Sequence, residues 1–594
     1  MIPQLKNFSS AWRMNAFTKL VLVAFWTATS AGIAQGHATL LQTDPAAGSR
    51  INDVPRTVRL SFDERVERVF NSVSVVDSQG RRVDDGQSQV VGEGDVVEVG
   101  LRPLRPGQYV VLWKVNSVDG HQVQWRFGFG FRSPPPDDEQ LKHLLVPEQK
   151  SFWKIYTVIV KWIGLTAMAI WLGGIAFLWG IAAPVQAVSR DVGNRRAMAN
   201  AVVLRSFGII WKAALLYLCA ECLSLIGQAV TFTDLPLIHA MTPSTLGTVL
   251  MTTNYGQWWA VRFSAALALA GLSVWQCQRP ALVQEIQSSD LRRGTLLSIG
   301  SGLLAGLMLL TIPLSGHAHV VPRHTLLAVG CDWAHLAATM IWIGGLIHLN
   351  AVMWSADMKT AESLRILSEL TSRFSRIARI SVAVLLATGI YNAWLHMPTW
   401  ISFLSTAYGR VLLAKLVVIV PILLIGALNL RRVLPALAGS AQHLDAARTW
   451  AGRFRPLIRV ESALTLVLLV LVAVLTTLPP ASAVASGPIN LAKRSQDWNV
   501  SLRLDPNRLG KNQAVVSLQD ANGQPVTDAK RVTLYLQMLD MDMGLVTVQS
   551  SPSADGTYRA EVPLSMAGKW SISVEVSPSA GDTFVTEFDF SSGS

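Results

Sequence analysis

Eight apolar runs, each long enough to cross a bilayer, occupy the middle of this sequence, near 153–182, 207–230, 258–275, 295–314, 325–352, 380–396, 410–430 and 461–478. About 20 apolar residues span the hydrocarbon core as a helix, the fold that satisfies the backbone of a single segment there. Residues 151–480 are therefore expected to form a polytopic helical bundle in a lipid bilayer. The connections between the runs alternate in charge. Four of them (183–206, 276–294, 353–379 and 431–459) hold 18 Lys/Arg against seven Asp/Glu, whereas 231–257, 315–324 and 397–409 hold one basic residue, Arg323. Connections rich in Lys/Arg stay cytoplasmic, which puts both ends of the bundle on the outer face. The same four connections account for nearly all of the net charge of +12. The excess follows topology, and no nucleic-acid partner is expected.

The bundle reads as duplicated. Trp171-Leu172-Gly173-Gly174 in the first run returns as Trp342-Ile343-Gly344-Gly345 in the fifth, and Thr253-Asn254-Tyr255-Gly256 with Arg262 returns as Thr406-Ala407-Tyr408-Gly409 with Lys415. Both halves start outside, so a four-plus-four repeat about an axis along the membrane normal is expected.

Two further regions flank the bundle. Residues 1–36 read as a secretory signal: Lys6, Arg13 and Lys19 precede an apolar stretch, and Ala34-Gln35-Gly36 offers a cleavage site before His37. Residues 37–132 and 490–594 alternate apolar and polar residues in short runs between turn residues, the pattern of antiparallel β sandwiches. Ser133-Pro134-Pro135-Pro136 opens a stiff linker, 133–150. All four cysteines lie in or beside the apolar runs, so no disulfide is expected in either exported domain. The fold class is thus multidomain, an eight-helix membrane bundle flanked by two all-β periplasmic sandwiches.

Candidate ligands gather at three levels. Cleavage would give His37 a free amine beside its imidazole, and Asp119-Gly120-His121 adds a carboxylate and a second imidazole; such a nitrogen and oxygen set suits Cu(II) in tetragonal geometry. In this region His37-Ala38-x-Leu40, Asp44-Pro45-Ala46-Ala47-Gly48 and Trp113-Lys114-Val115-Asn116-Ser117-Val118-Asp119-Gly120-His121 resemble the CopC family of periplasmic copper proteins. The resemblance implies His37, Asp119 and His121 as Cu(II) ligands. Some relatives carry a methionine-rich Cu(I) site as well; no methionine lies between His37 and Lys150, so that site is expected to be missing.

Inside the bundle, ionisable groups are costly and usually functional or paired. At about 1.5 Å per residue, Lys161, Glu221, Cys222, Asp332 and His335 fall at a similar depth, with Cys219 slightly deeper and Met308 slightly shallower. Asp332 with His335, and Cys219 with Cys222, share helix faces at i, i+3. Thiolate and thioether suit Cu(I), and Lys161 reads as an ion-pair partner of Glu221 or Asp332. Above this layer, Ser315-Gly316-His317-Ala318-His319-Val320-Val321-Pro322-Arg323-His324 reads as a mouth able to receive metal, with His239 and His396 nearby on other outer connections and His348 toward the cytoplasmic end. Residues 151–480 resemble the CopD copper-resistance family through Ser315-Gly316-His317-Ala318, Asp332-x-x-His335 followed by Trp342-x-Gly344-Gly345, and Tyr408-Gly409-x5-Lys415 leading to Asn429-Leu430-Arg431. That resemblance implies copper passage across the inner membrane from a periplasmic donor.

The C-terminal sandwich resembles YtkA-like and FixH-like domains, which often carry a methionine-rich turn. Here Met541 and Met543 stand in that turn as candidate Cu(I) ligands. No Gly-x4-Gly-Lys-Ser/Thr motif occurs, so a gradient or intracellular chelation would drive transport. The chain reads as a copper importer of the inner membrane with both termini periplasmic, not as an enzyme. Copper ions, lipid and copper chaperones on either side are its expected partners. A membrane redox protein, reducing Cu(II) or binding haem, and a factor that sequesters periplasmic copper stand as alternatives.

Overall fold

The computed structural model describes residues 40–136, 151–316, 325–478 and 489–592, apart from short stretches within them that include 46–49, 119, 121, 279–290, 356–359 and 540–544. The N-terminal domain pairs β1 (Leu40–Asp44), β3 (Thr57–Phe62), β6 (Val96–Gly100) and β5 (Gln89–Val91) in one sheet. The facing sheet runs β2 (Arg50–Ile51), β8 (Gln122–Phe131), β7 (Gly107–Asn116), β4 (Ser72–Asp77). Pairing is antiparallel except for the short β2–β8 contact. Alternation decides which residues face inward: Val58, Leu60 and Phe62 of β3 meet Val73, Val75, Val111 and Trp113 of the other sheet in one core. The Phe62 ring stands edge-on to Trp113 with centroids 5.5 Å apart. The expected sandwich is present.

Among the described residues, eight helices are long and apolar enough to cross a membrane. They are α1 (Ser151–Phe177), α2 (Gly193–Thr233), α3 (Asn254–Gln278), α4 (Leu291–Leu314), α5 (Thr325–Ser355), α6 (Ala361–His396), α7 (Ala407–Leu428) and α8 (Leu444–Leu475). Helices α1 and α5 form the centre and are the most buried of the eight, with α7 the least. They cross where each carries its Trp-x-Gly-Gly. A Cβ on Gly173 would stand 2.2 Å from Met340 O, and one on Gly344 would stand 2.0 Å from Ala169 O. The contact is reciprocal, each glycine meeting the residue four before the other, so a two-fold relation passes through this point. The second repeated motif agrees. Thr253 Oγ1 accepts from Gly256 N at 3.0 Å, and Thr406 Oγ1 accepts from Gly409 N at 3.0 Å. Both are N-terminal caps, and both open a third helix of a half.

Three helices differ from their apolar runs. α2 begins at Gly193, α6 at Ala361 and α8 at Leu444, well before the segments expected near 207, 380 and 461. In α6 the added turns are amphipathic: Leu364, Ile366, Leu367, Leu370 and Phe374 are buried while Arg365, Arg373 and Arg376 are not. The helix therefore continues past the apolar slab at the end where the basic connections lie. Lys161 Nζ of α1 donates to Thr476 O at the end of α8 at 2.9 Å, so the bundle begins and finishes on one side.

The C-terminal domain is a second sandwich. One sheet runs β14 (Ser551–Pro552), β15 (Tyr558–Leu564), β11 (Gly510–Gln519), β10 (Trp498–Asp505), β9 (Ile489–Ser495); the other runs β13 (Val546–Gln549), β12 (Arg531–Met538), β16 (Gly568–Ser577), β17 (Phe584–Ser592). Its core includes Leu502, Leu534, Trp570, Phe588 and Met538.

Candidate functional site

His37, Asp119, His121, His317, His319, His324, Met541 and Met543 lie outside the described residues. Asp332, His335, Cys219 and Cys222 lie inside them. Among the described residues, no three His, Cys, Asp or Glu side chains come together in a way that would hold a metal ion.

Asp332 and His335 project from α5 toward α6, which meets them with a matching pair one turn apart. Asn392 Nδ2 donates to Asp332 Oδ1 at 2.7 Å, and Thr388 Oγ1 lies 2.8 Å from His335 Nδ1. Thr388 has a single hydroxyl proton, given to Val384 O at 2.7 Å. Its oxygen must therefore accept from His335, which fixes the proton on Nδ1 and leaves the lone pair on Nε2. A ring held through one N–H with its other nitrogen open is the arrangement that metal-binding histidines use. Lys415 of α7 interacts electrostatically with both Asp332 and His335, and Tyr391 and Tyr408 interact with Asp332. His396, at the end of α6, packs edge-on to Tyr408 with centroids 6.2 Å apart. The layer joins α5, α6 and α7. Sequence reasoning found Asp332, His335 and Lys415 but not Thr388 and Asn392, whose i, i+4 spacing on an apolar helix was the available signal.

The matching layer of the first half is closed on itself. Arg262 of α3 grips Glu221 of α2, Nη2 to Oε2 3.1 Å and Nε to Oε2 3.2 Å, while Trp259 Nε1 donates to Glu221 O at 3.1 Å. Tyr255 OH is 2.8 Å from Ser224 Oγ. Of the two expected partners of Lys161, Glu221 is thus taken by Arg262, while Lys161 bonds the Thr476 carbonyl. Cys219 and Cys222 share an exposed face of α2 with Leu215, Leu216 and Leu223, pointing away from the interior. His239 is exposed on a short helix, Leu237–Ala240. His348 is fully buried against Phe177, and its Nε2 donates to Ile170 O at 3.1 Å.

The N-terminal domain sits on the ends of α2 and α3. Gln228 Nε2 donates to Gly120 O at 2.7 Å and Asn254 Nδ2 to Val118 O at 2.8 Å. Asn254 N donates to Glu67 Oε1 at 2.9 Å, and Gln122 Nε2 to Thr231 O at 2.7 Å. Lys114 pairs with Asp234 at 2.5 Å, and Phe70 stacks on Phe232 with centroids 6.5 Å apart. Gly120 has φ +87°, and a Cβ there would come within 3.6 Å of both Gln228 and Tyr255; the turn is shaped for its seat. Val118, Gly120 and Gln122 are thus held over the first half. The described contacts fall on α2, α3 and the connection between them, and the histidine-rich connection 317–324 lies outside the described residues.

Comparison with known proteins follows the same division. Residues 40–132 match the CopC domain, 153–321 the copper resistance protein D-like N-terminal domain, 368–475 copper resistance protein D, and 492–575 the YtkA-like family. The copper transport protein CutJ of Bacillus subtilis (strain 168) is 26% identical over 556 residues, covering 91% of this chain and 92% of that protein. Protein YobA of Escherichia coli (strain K12) is 27% identical over 124 residues, 19% of this chain and 87% of that protein. Among solved structures, CopC from Methylosinus trichosporium OB3b is 30% identical, covering 17% of this chain and 98% of that one, with a TM-score of 0.15. PcoC, a methionine-rich copper resistance protein from Escherichia coli, is 22% identical, covering 16% and 98%, with a TM-score of 0.15. The chain joins a CopC domain, a copper resistance protein D membrane unit and a YtkA-like domain in one polypeptide.

Proposed function

We propose that this chain is a copper transport protein of the bacterial inner membrane, capturing Cu(II) in the periplasm and passing copper through its bundle to the cytoplasm. His37, Asp119 and His121 take the ion, with the free amine of His37 exposed by signal cleavage. The observation that carries the reading is the seat of the 116–122 segment on α2 and α3, held by Gln228, Asn254 and the carbonyl of Thr231. A receptor domain fixed there by its metal-bearing turn delivers its cargo to the mouth of the membrane unit. The layer of Asp332 and His335 then receives it, His335 through Nε2 and Asp332 through its carboxylate. His317 and His319 serve the entrance.

Orientation follows from the basic connections, which lie at the opposite end from the N-terminal domain, and from an even number of helices. Both termini are then periplasmic. The C-terminal domain binds copper through Met541 and Met543 in this reading.

The test is cellular copper accumulation for wild type, His37→Ala and His335→Ala, with Edman sequencing of the mature N-terminus. Both variants should accumulate severalfold less copper than wild type. Wild-type accumulation in both, or a mature chain that retains its leader, would overturn the reading.

A further inference from the structure

A second polar group lies deeper in the bundle than the Asp332 layer. Glu461 of α8 is 4% exposed, about 21 Å along its helix from Leu475, whereas Asp332 is about 10 Å from Thr325. Its hydrogen-bond donor among the described residues is neutral: Asn429 Nδ2, 3.1 Å from Oε2. Beside it, Ser462 Oγ accepts from Asn350 Nδ2 of α5 at 3.1 Å and donates to Ile458 O at 2.7 Å. Gly426 of α7 lies beside the other carboxyl oxygen: a Cβ there would stand 3.7 Å from Oε1.

The surrounding charged and titratable groups are engaged elsewhere or face outward. Arg459 of α8 stacks on Trp354 at 4.3 Å, His348 of α5 bonds Ile170 O, and Lys161 of α1 bonds Thr476 O. Lys415 of α7 belongs to the Asp332 layer. Arg431 and Arg432 beyond α7, and Arg376 and Arg379 of α6, are exposed. No cation among the described residues compensates Glu461, and an uncompensated buried charge is expensive.

The orphan oxygen of Asn429 indicates what does. Asn429 is 8% exposed and its Oδ1 has no partner. An amide serves a carboxyl group in either protonation state: Nδ2 donates to a carboxylate, and after a half-turn of the amide Oδ1 accepts from the O–H of the acid. Asn429 also opens a π-helical turn, Asn429–Val433, eight residues after Pro421. Such a turn loosens the local hydrogen-bond ladder and recurs at functional sites.

We propose that Glu461 is a proton-binding site of the membrane unit, with Asn429 as its positioning residue, and that copper passage is coupled to its loading and release. The coupling rests on the copper-transport reading; the proton site itself does not.

Two measurements on the full-length protein test it. In detergent, the infrared band of a buried protonated carboxyl should be present in wild type and missing in Glu461→Gln, whose amide envelope is otherwise unchanged. In proteoliposomes loaded with copper outside, a gradient of one pH unit should change the steady-state copper ratio about tenfold for one coupled proton. Glu461→Gln should lose that response while binding copper at the N-terminal domain as wild type does. A band that survives Glu461→Gln overturns the proton site. Wild-type copper movement indifferent to the gradient, or a full response in Glu461→Gln, overturns the coupling. Wild type that moves no copper defeats the transport reading, and with it the coupling, while the infrared result still decides the site.

Discussion

At the scale of single residues, a hydroxyl proton decides what His335 offers. Because Thr388 gives its proton to Val384 O, it fixes the imidazole tautomer without touching cargo. Thr388→Val keeps the shape of the side chain but removes the acceptor. Outer-shell partners of this kind are worth about 10–100-fold in metal affinity. Copper uptake in Thr388→Val at limiting copper should therefore fall to a level between wild type and His335→Ala; uptake equal to wild type would show that the tautomer is immaterial. Asp84 in the N-terminal domain supplies a second case. Its side chain is inaccessible, and it accepts from Val75 N, Gly86 N and the Arg82 guanidinium. Burial works against its charge, yet the Arg82 and backbone bonds outweigh burial and hold the carboxyl below its ordinary range. A carboxylate lowered in the native state stabilises above its unfolded value of about 3.9, and that contribution disappears as pH falls through the native value. Asp84→Asn should cost about 2 kcal/mol at neutral pH, and calorimetry should show the difference shrinking on acidification below about pH 4. Asp332 and His335 were legible because an ionisable residue in an apolar run stands out. The partner of Glu221 was not, because depth along a helix is legible from sequence whereas the direction a side chain faces is set by packing.

Helices and their crossings obey a coarser logic. Apolar length specified eight spans, and the basic connections placed their ends, because lipid leaves a chain few alternatives. The extra turns of α2, α6 and α8 escaped that reasoning, since outside the slab a helix is held by an amphipathic stripe that no hydropathy run reveals. The repeated Trp-x-Gly-Gly pointed to duplication, and the reason for its glycines is the α1–α5 crossing, where backbones touch at Gly173 and Gly344. Gly344→Ala drives a methyl into the Ala169 carbonyl, and overpacking of this kind costs about 1–3 kcal/mol. Thermal stability of the purified protein should fall accordingly. Gly300→Ala and Gly271→Ala, where nothing lies within reach, should melt like wild type. Equal losses at all three positions would mean that the crossing is not the tight point of the bundle.

For the whole molecule the question is how a sandwich and a bundle come to share one path. The histidine-rich connection drew attention in the sequence because three histidines in eight residues are conspicuous. Among the described residues, the surfaces that meet are held by Gln228, Asn254, Gln122, the Glu67 carboxylate and backbone carbonyls, groups so common that no pattern advertises them. The ion pair described at the seat, Lys114 with Asp234, has a half-exposed carboxylate and contributes at most about 1 kcal/mol. The amides therefore decide the seating. Each neutral hydrogen bond contributes about 1 kcal/mol, so Gln228→Ala with Asn254→Ala removes about 2 kcal/mol, roughly a thirtyfold loss of the seated population relative to the free one. Cu(II) affinity of the N-terminal domain should stay as in wild type, because neither residue is a ligand. Uptake at limiting copper should fall severalfold and recover when copper is raised, as a receptor that samples its seat less often still delivers when loaded in excess. A double variant that transports normally at every concentration would show that the contact between sandwich and bundle has no part in delivery.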